Sequence, residues 1–184
     1  MKMPDRFIYK SFQIDTNRIN SRGGLHSMNQ LERWREDGVI MMDMSEVAQE
    51  EAIAGGSESR AEKARVNIFS MTLAETPREQ EQIRQIESIL FPEGAEDQNQ
   101  RNDVEIVFNA LKYHRILVTA DGGSKSQPGG MLGRRKELSA MNVQMMRDHE
   151  AVEYTRDEIQ RRDDLAREIA AHTGQPVPDW VGKD

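Results

Sequence analysis

The chain has 184 residues, an apolar fraction of 36% and a formal charge of −7, which fits one folded domain. This charge argues against nonspecific adhesion to nucleic acid or anionic membranes, although it does not exclude an enzyme whose substrate charge is neutralised locally by metal ions. The chain contains no cysteine, which excludes disulfides, a thiol nucleophile and a cysteine–zinc site.

The N-terminal stretch has no apolar run of the kind that a secretory signal needs. No segment approaches the ~20 apolar residues of a membrane span. We therefore expect a cytoplasmic protein that has no membrane partner.

The first half of the chain alternates between strand and helix patterns. A strand over 7–14 ends at Asp15, Thr16 and Asn17, a turn-forming cluster. The next predicted elements are a helix over 27–38, a strand over 39–44 and a helix over 46–54 that Ser45 caps.

The second half is richer in helix patterns. We predict helices over 57–66, 77–90, 103–114 and 149–174, strands over 115–118 and 142–146, a less regular extended segment over 67–72 and a polar loop over 91–102. A glycine-rich segment follows the strand that ends at Val118.

Strands that alternate with helices predict an α/β fold, three-layered α/β/α, with a mostly parallel sheet of about five strands. The main domain covers 1–148 with a helical insertion at 57–100, and a helix and tail at 149–184 are expected to pack on it. In such folds ligands bind at the carboxyl ends of the strands, at the switch point of strand order.

Acidic residues follow or open the elements that meet at this edge. Asp15 follows the first strand and Asp121 the fourth, and Asp103 opens the helix that leads into the fourth strand. The helix after the second strand offers three glutamates in its first two turns, namely Glu46, Glu50 and Glu51. We therefore expect four carboxylates from four segments to share one crevice.

Such a cluster of like charges raises the pKa values of its members or recruits a cation. Its ligands are oxygens only, with no cysteine and no histidine placed beside them, which favours Mg²⁺ or Mn²⁺ over zinc. Carboxylate-held ions of this kind activate water and stabilise an in-line attack on phosphorus, which predicts phosphodiester hydrolysis.

Three segments carry a resemblance to a known family: "FQIDTNRI", "DMSEVAQEEA" and "NDVEIVFNALKYHRILVTADG". Together, over about residues 7–148, they resemble the PIN domain. The resemblance implies a Mg²⁺- or Mn²⁺-dependent ribonuclease that acts on single-stranded RNA, and many family members are toxins of toxin–antitoxin pairs. A partner such as an antitoxin, and a homodimer, are left open.

The resemblance also assigns roles. Asp15, Asp103 and Asp121 are similar to the metal-binding, catalytic acids of the family, with Glu50 as the favoured glutamate and Glu51 as the runner-up. Thr16, Asn17 and Thr119 are similar to the neighbours that orient the acids or a water. Ser124 and Ser126 stand where some members keep a further acid, so one or two metals remain open.

Other interpretations remain beside this one. A basic cluster beside the predicted site consists of Lys125, Arg134, Arg135 and Lys136, and it either guides the phosphate backbone or is an ordinary solvated loop. Each acid taken alone fits a turn, a helix cap or a solvated helix face. A catalytically silent PIN-like module that binds RNA or protein is the main alternative. A phosphatase with an Asp nucleophile fits less well, because "DTN" lacks a second acid two positions after the first.

Overall fold

The computed structural model describes residues 2–66, 68–70, 74–123 and 129–184. Its strands are β1 (Ser11–Ile14), β2 (Met41–Ser45), β3 (Ile68–Ser70), β4 (Ile116–Val118) and β5 (Gln144–Met146). They form a sheet in the order β3-β2-β1-β4-β5, and each neighbouring pair is parallel.

The α-helices in the described part of the chain are α1 (His26–Glu36), α2 (Glu46–Ala54), α3 (Glu58–Arg65), α4 (Pro77–Leu90), α5 (Gln98–Lys112), α6 (Gly130–Gly133), α7 (Arg135–Ser139) and α8 (Asp148–Thr173). A 3₁₀ turn covers Thr16–Arg18. The predicted α/β class, with a parallel sheet flanked by helices, is confirmed. None of the described helices has both the length and the apolar character to cross a membrane.

The central strands are apolar because helices cover the sheet. Phe12, Leu117 and Val118 are fully buried, as expected for parallel strands that face protein on both sides. Gln13 is the buried polar exception in β1, and its side-chain Nε2 donates a 2.8 Å hydrogen bond to the carbonyl of Ile106 in α5. This bond ties α5 to the central strand.

The order of the strands reverses at β1. The first connections lead from β1 outward to β2 and β3, and the chain then returns to place β4 on the other side of β1. The switch point therefore lies between the carboxyl ends of β1 and β4. Residue 15 and residues 119–121 leave the sheet there.

Helix α5 begins earlier than its apolar pattern predicts. The pattern starts at Val104, whereas the helix starts at Gln98, with Asp97 as the N-cap whose side chain accepts from the Gln100 N–H at 2.9 Å. The end of the predicted polar loop over 91–102 is thus helical. Asp103 lies in the second turn and does not open the helix.

The glycine-rich segment also contains more structure than predicted. From residue 130 onward it forms α6 and α7. Of the predicted extended segment over 67–72, the described part is β3. The last helix starts at Asp148, one residue before the predicted start, with Arg147 at the N-cap position.

Candidate functional site

Two residues at the switch point remain attached to the sheet beyond the ends of their strands. The Asp15 N–H donates to the carbonyl of Val118 at 3.0 Å, and the Thr119 N–H donates to the carbonyl of Met146 at 3.0 Å. Asp15 is only 4% exposed, and Thr119 is fully buried. Both side chains are therefore fixed by the same ladder of backbone hydrogen bonds that builds the sheet.

A hydrogen-bonded group surrounds the Asp15 carboxylate. Its Oδ2 accepts from the Thr119 hydroxyl at 2.5 Å and from Asn17 Nδ2 at 2.6 Å. Asn17 Oδ1 in turn accepts from the Ala120 N–H at 2.9 Å, and the Thr119 hydroxyl oxygen accepts from the Asp121 N–H at 2.9 Å. The structure thus brings Asn17 and Thr119 to the position beside Asp15 that the resemblance implies.

The pKa values of two acids at this edge, Asp15 and Asp103, are raised. Burial raises the pKa of Asp15 to about 6, and the charges of Glu51 and Asp121 add to this effect, whereas hydrogen bonds from Thr119 and Thr16 oppose it. The pKa of Asp103 is raised to about 8. Burial is the largest cause, and the charges of Asp15, Asp121 and Glu51 also raise it.

The Asp103 carboxylate differs from its neighbours in its partners. None of the side-chain hydrogen bonds in the described part of the chain reaches the Asp103 carboxylate, and none of the ion pairs there involves Asp15, Glu51, Asp103 or Asp121. The cluster therefore carries negative charge that no described lysine or arginine neutralises through an ion pair.

The glutamate whose charge raises the pKa values of Asp15 and Asp103 is Glu51, the alternative to the favoured Glu50. Glu51 Oε2 accepts from the Thr16 hydroxyl at 2.8 Å, and its Oε1 accepts from Asn102 Nδ2 at 2.6 Å. Thr16 also donates to the carbonyl of Ala48 at 3.1 Å. These bonds attach α2 and α5 to the turn that follows β1.

Glu50 lies on a different part of the helix surface. It is exposed, and together with Glu46 it raises the pKa of Glu105, for which burial is the larger cause. Glu50 and Glu51 both line a groove of about 890 Å³ between α2 and the start of α5. Only Glu51 acts electrostatically on Asp15 and Asp103.

Asp121 has a structural role that does not depend on any ligand. Its Oδ2 accepts from the Met131 N–H at 2.7 Å, and its Oδ1 accepts from the Gly123 N–H at 3.1 Å. A Cβ at Gly130, where φ is +54°, would lie 2.5 Å from Asp121 Oδ2. Glycine at this position therefore lets the backbone approach the carboxylate.

Only part of the predicted basic cluster lies within the described residues. Arg134 pairs with Glu137 at 3.6 Å and Arg135 pairs with Glu150 at 2.9 Å. Lys125, like Ser124 and Ser126, lies outside the described residues. The two described arginines are thus engaged with neighbouring carboxylates.

Sequence reasoning missed Asn102 and Arg60. Asn102 orients Glu51, and the only signal for it was its place directly before Asp103 in the "ND" pair. Arg60, on α3, donates through Nη2 to the carbonyl of Thr16 at 2.7 Å. No local pattern predicts this second contact, because it depends on how α3 packs.

The donor set of the cluster fits a hard divalent cation, since it consists of carboxylate oxygens with hydroxyl and amide neighbours. Among the described residues, however, no three Asp, Glu or His side chains are close enough together to enclose an ion as placed. The site is therefore an open group of carboxylates, and the Asp103 carboxylate is the member that accepts no hydrogen bond from the described residues.

Comparisons with known proteins add little to this geometry. No family model matches the chain, and no curated protein matches it. Among solved structures, the chain is similar to VapBC-1 from nontypeable Haemophilus influenzae, with a TM-score of 0.47 and 18% identity over 76% of this chain and 98% of that chain. A likeness of this size carries no weight for the activity, which we infer from the residues of the site.

Proposed function

We propose that this chain is a divalent-metal-dependent nuclease that hydrolyses phosphodiester bonds, with single-stranded RNA as its substrate. One observation supports the proposal most directly. The charges of Glu51 and Asp121 raise the pKa values of Asp15 and Asp103, although the four acids lie on four separate segments, and none of the ion pairs in the described part of the chain involves them. The resemblance to PIN domains points to the same chemistry.

The residues that would hold Mg²⁺ or Mn²⁺ are Asp15, Glu51, Asp103 and Asp121. When bound, such an ion supplies a Lewis acid for the phosphoryl oxygens and lowers the pKa of a bound water. The oxygen-only donor set suits these hard ions, which normally retain waters and take substrate phosphate as a further ligand.

The protein's own contribution is orientation. Asn17 and Thr119 hold the Asp15 carboxylate through Oδ2. Thr16 and Asn102 hold Glu51 from both sides. Asp103 has no such partner among the described residues, and its pKa is raised to about 8, so it must lose a proton before it can bind a cation, and metal binding at neutral pH is coupled to proton release.

The test is Mn²⁺-dependent cleavage of a mixed-sequence single-stranded RNA by the purified protein. Asp15→Asn and Asp103→Asn should each abolish cleavage while the far-UV circular dichroism remains that of the wild type. A matched single-stranded DNA distinguishes ribonuclease from general nuclease activity. Cleavage that survives in both variants would contradict the proposal.

A catalytically silent binding module is the second candidate, and two observations favour it. Both carboxylate oxygens of Asp121 already accept backbone hydrogen bonds, and the described acids do not enclose an ion as placed. A silent module would show neither cleavage nor a rise in melting temperature with Mn²⁺, whereas the proposed nuclease would show both.

A further inference from the structure

Arginines outside the predicted basic cluster border the acidic site. Arg60 reaches Thr16, the residue that follows Asp15, through the 2.7 Å bond from Nη2 to the backbone carbonyl. Arg147 places Nη2 beside Gly122, 3.8 Å from the point that a Cβ there would occupy. Both guanidinium groups are thus one residue away from an acid of the site.

The order of the strands places these arginines on opposite sides of the acids. Arg60 belongs to α3, which connects β2 to β3, whereas Arg147 directly follows β5. The central strands β1 and β4, which carry Asp15 and Asp121 at their ends, lie between them. The two arginines therefore lie on either side of these acids along the edge of the sheet, where neighbouring strands are about 4.8 Å apart.

The guanidinium groups of both arginines have no ion-pair partner among the described residues. No ion pair there involves Arg60 or Arg147, whereas Arg135 neutralises Glu150 at 2.9 Å. Arg18, in contrast, forms an ion pair with Asp148 at the start of α8, at 3.5 Å. The net charge of the chain is −7, so cations left unpaired beside an acidic site call for an anionic ligand.

We infer that a single-stranded polynucleotide crosses the carboxyl edge of the sheet along the order of the strands, with one phosphate on Arg60 and another on Arg147. This inference rests on the proposed function and specifies its substrate path. Guanidinium groups suit the task because their planar donors match phosphate oxygens in pairs. Arg134 and Arg135, which neighbouring glutamates hold, are not the main phosphate contacts.

The test is the binding of a fluorescein-labelled 12-nucleotide single-stranded RNA, followed by anisotropy at several salt concentrations in MgCl₂ and in EDTA. Arg60→Ala and Arg147→Ala should each raise the Kd by roughly 3- to 10-fold. Each should also reduce the slope of log Kd against log salt concentration by about 0.7, which corresponds to one phosphate contact. Arg60→Lys should recover most of the slope, because lysine keeps the charge.

Arg84→Ala is the matched control, since Arg84 is an exposed arginine on α4 that pairs with Glu81 at 2.6 Å. It should leave both the Kd and the slope unchanged. The same oligonucleotide as DNA shows whether the path distinguishes the sugar. A merely structural role of Arg60 would lower the melting temperature without changing the salt slope.

The inference and the proposed function fail separately. If the wild type cleaves RNA but both alanine variants bind it with the wild-type slope, the path is wrong and the nuclease stands. If binding depends on both arginines but no sample cleaves RNA, the path stands and the nuclease proposal is wrong. Wild-type slopes in both variants overturn the inference in either case.

Discussion

The hydroxyl of Thr119 donates a 2.5 Å hydrogen bond to Oδ2 of Asp15, between residues that are 104 positions apart in the sequence. The same hydroxyl oxygen accepts from the Asp121 N–H at 2.9 Å. One buried side chain therefore links the acid that follows β1 to the acid that follows β4.

Thr119→Val, which keeps the shape of the side chain and removes its hydroxyl, should destabilise the protein by about 1–3 kcal/mol because it leaves buried polar partners unsatisfied. It should also weaken Mn²⁺-dependent cleavage, because the pKa of Asp15 loses a hydrogen bond that lowers it. Urea unfolding and the cleavage assay measure the two effects.

Thr155→Val serves as the control for this prediction. Thr155 is also fully buried, and its hydroxyl donates only to the carbonyl of Ala151 in its own helix at 2.8 Å. Cleavage should survive in this variant. Equal cleavage by the Thr119 and Thr155 variants would show that Thr119 does not position the acid.

Glu51→Gln and Glu50→Gln should differ in their effect on metal binding. Glu51 is oriented by Thr16 and Asn102, whereas Glu50 is exposed. The rise in melting temperature on adding 1 mM Mn²⁺ should therefore fall by more than half for Glu51→Gln and stay at the wild-type value for Glu50→Gln, as measured by calorimetry. The reverse pattern would restore Glu50 as the ligand.

Asp103 should make the apo protein less stable as the pH rises. Its pKa is about 8 in the folded state and about 3.9 when unfolded. Between these values the folded state holds a proton that the unfolded state has lost. The free energy of unfolding should therefore fall with rising pH across this window and become flat above pH 8.

Asp103→Asn removes this titration, so in EDTA the variant should gain stability over the wild type by roughly 1–3 kcal/mol between pH 5.5 and 8. Asp15 and Asp43, whose pKa values are raised to about 6 and about 7, lower stability over the same range in both proteins. Urea unfolding at the two pH values measures the difference. Parallel curves for the two proteins would count against the charge coupling.

Gly130→Ala should displace the Asp121 carboxylate, because the new Cβ would lie 2.5 Å from its Oδ2. Gly56→Ala is a matched control at φ +72°, where nothing lies within 4 Å of the new Cβ. The free energy of unfolding of the control should fall only by the cost of a left-handed backbone at a non-glycine residue, about 1–2 kcal/mol. The Gly130 variant should lose more free energy of unfolding than the control, and it should also lose cleavage. Equal losses of unfolding free energy in the two variants would contradict the contact.

The positions of Asp15 and Thr119 were predictable because the carboxyl ends of parallel strands meet at one edge, so a residue's place after a strand fixes its place in space. The identity of the glutamate was not predictable in this way, because it depends on which face of α2 is turned toward the site. Ala48 and Ala52 are buried, and Glu51 lies beside this apolar stripe whereas Glu50 points away from it. Reading the small alanines as the buried face would have favoured Glu51.

The start of α5 was missed for a related reason. Its first turn is polar and held by the Asp97 cap, so apolar periodicity could not detect it. The arginines that border the site were missed because Arg60 reaches Thr16 only through the packing of α3, 44 positions away in the sequence. Contacts of this kind leave no local pattern.

The central place of β1 also has a consequence for synthesis. β1 can pair with β2 early in synthesis because the two strands are close in sequence, but its other edge stays open until β4 follows about a hundred residues later. Such long-range parallel pairing forms slowly, because a large loop must close first. A nascent chain that ends before β4 therefore carries Asp15 without the threonine that holds it, and any catalytic power of the site arises only when the sheet is complete.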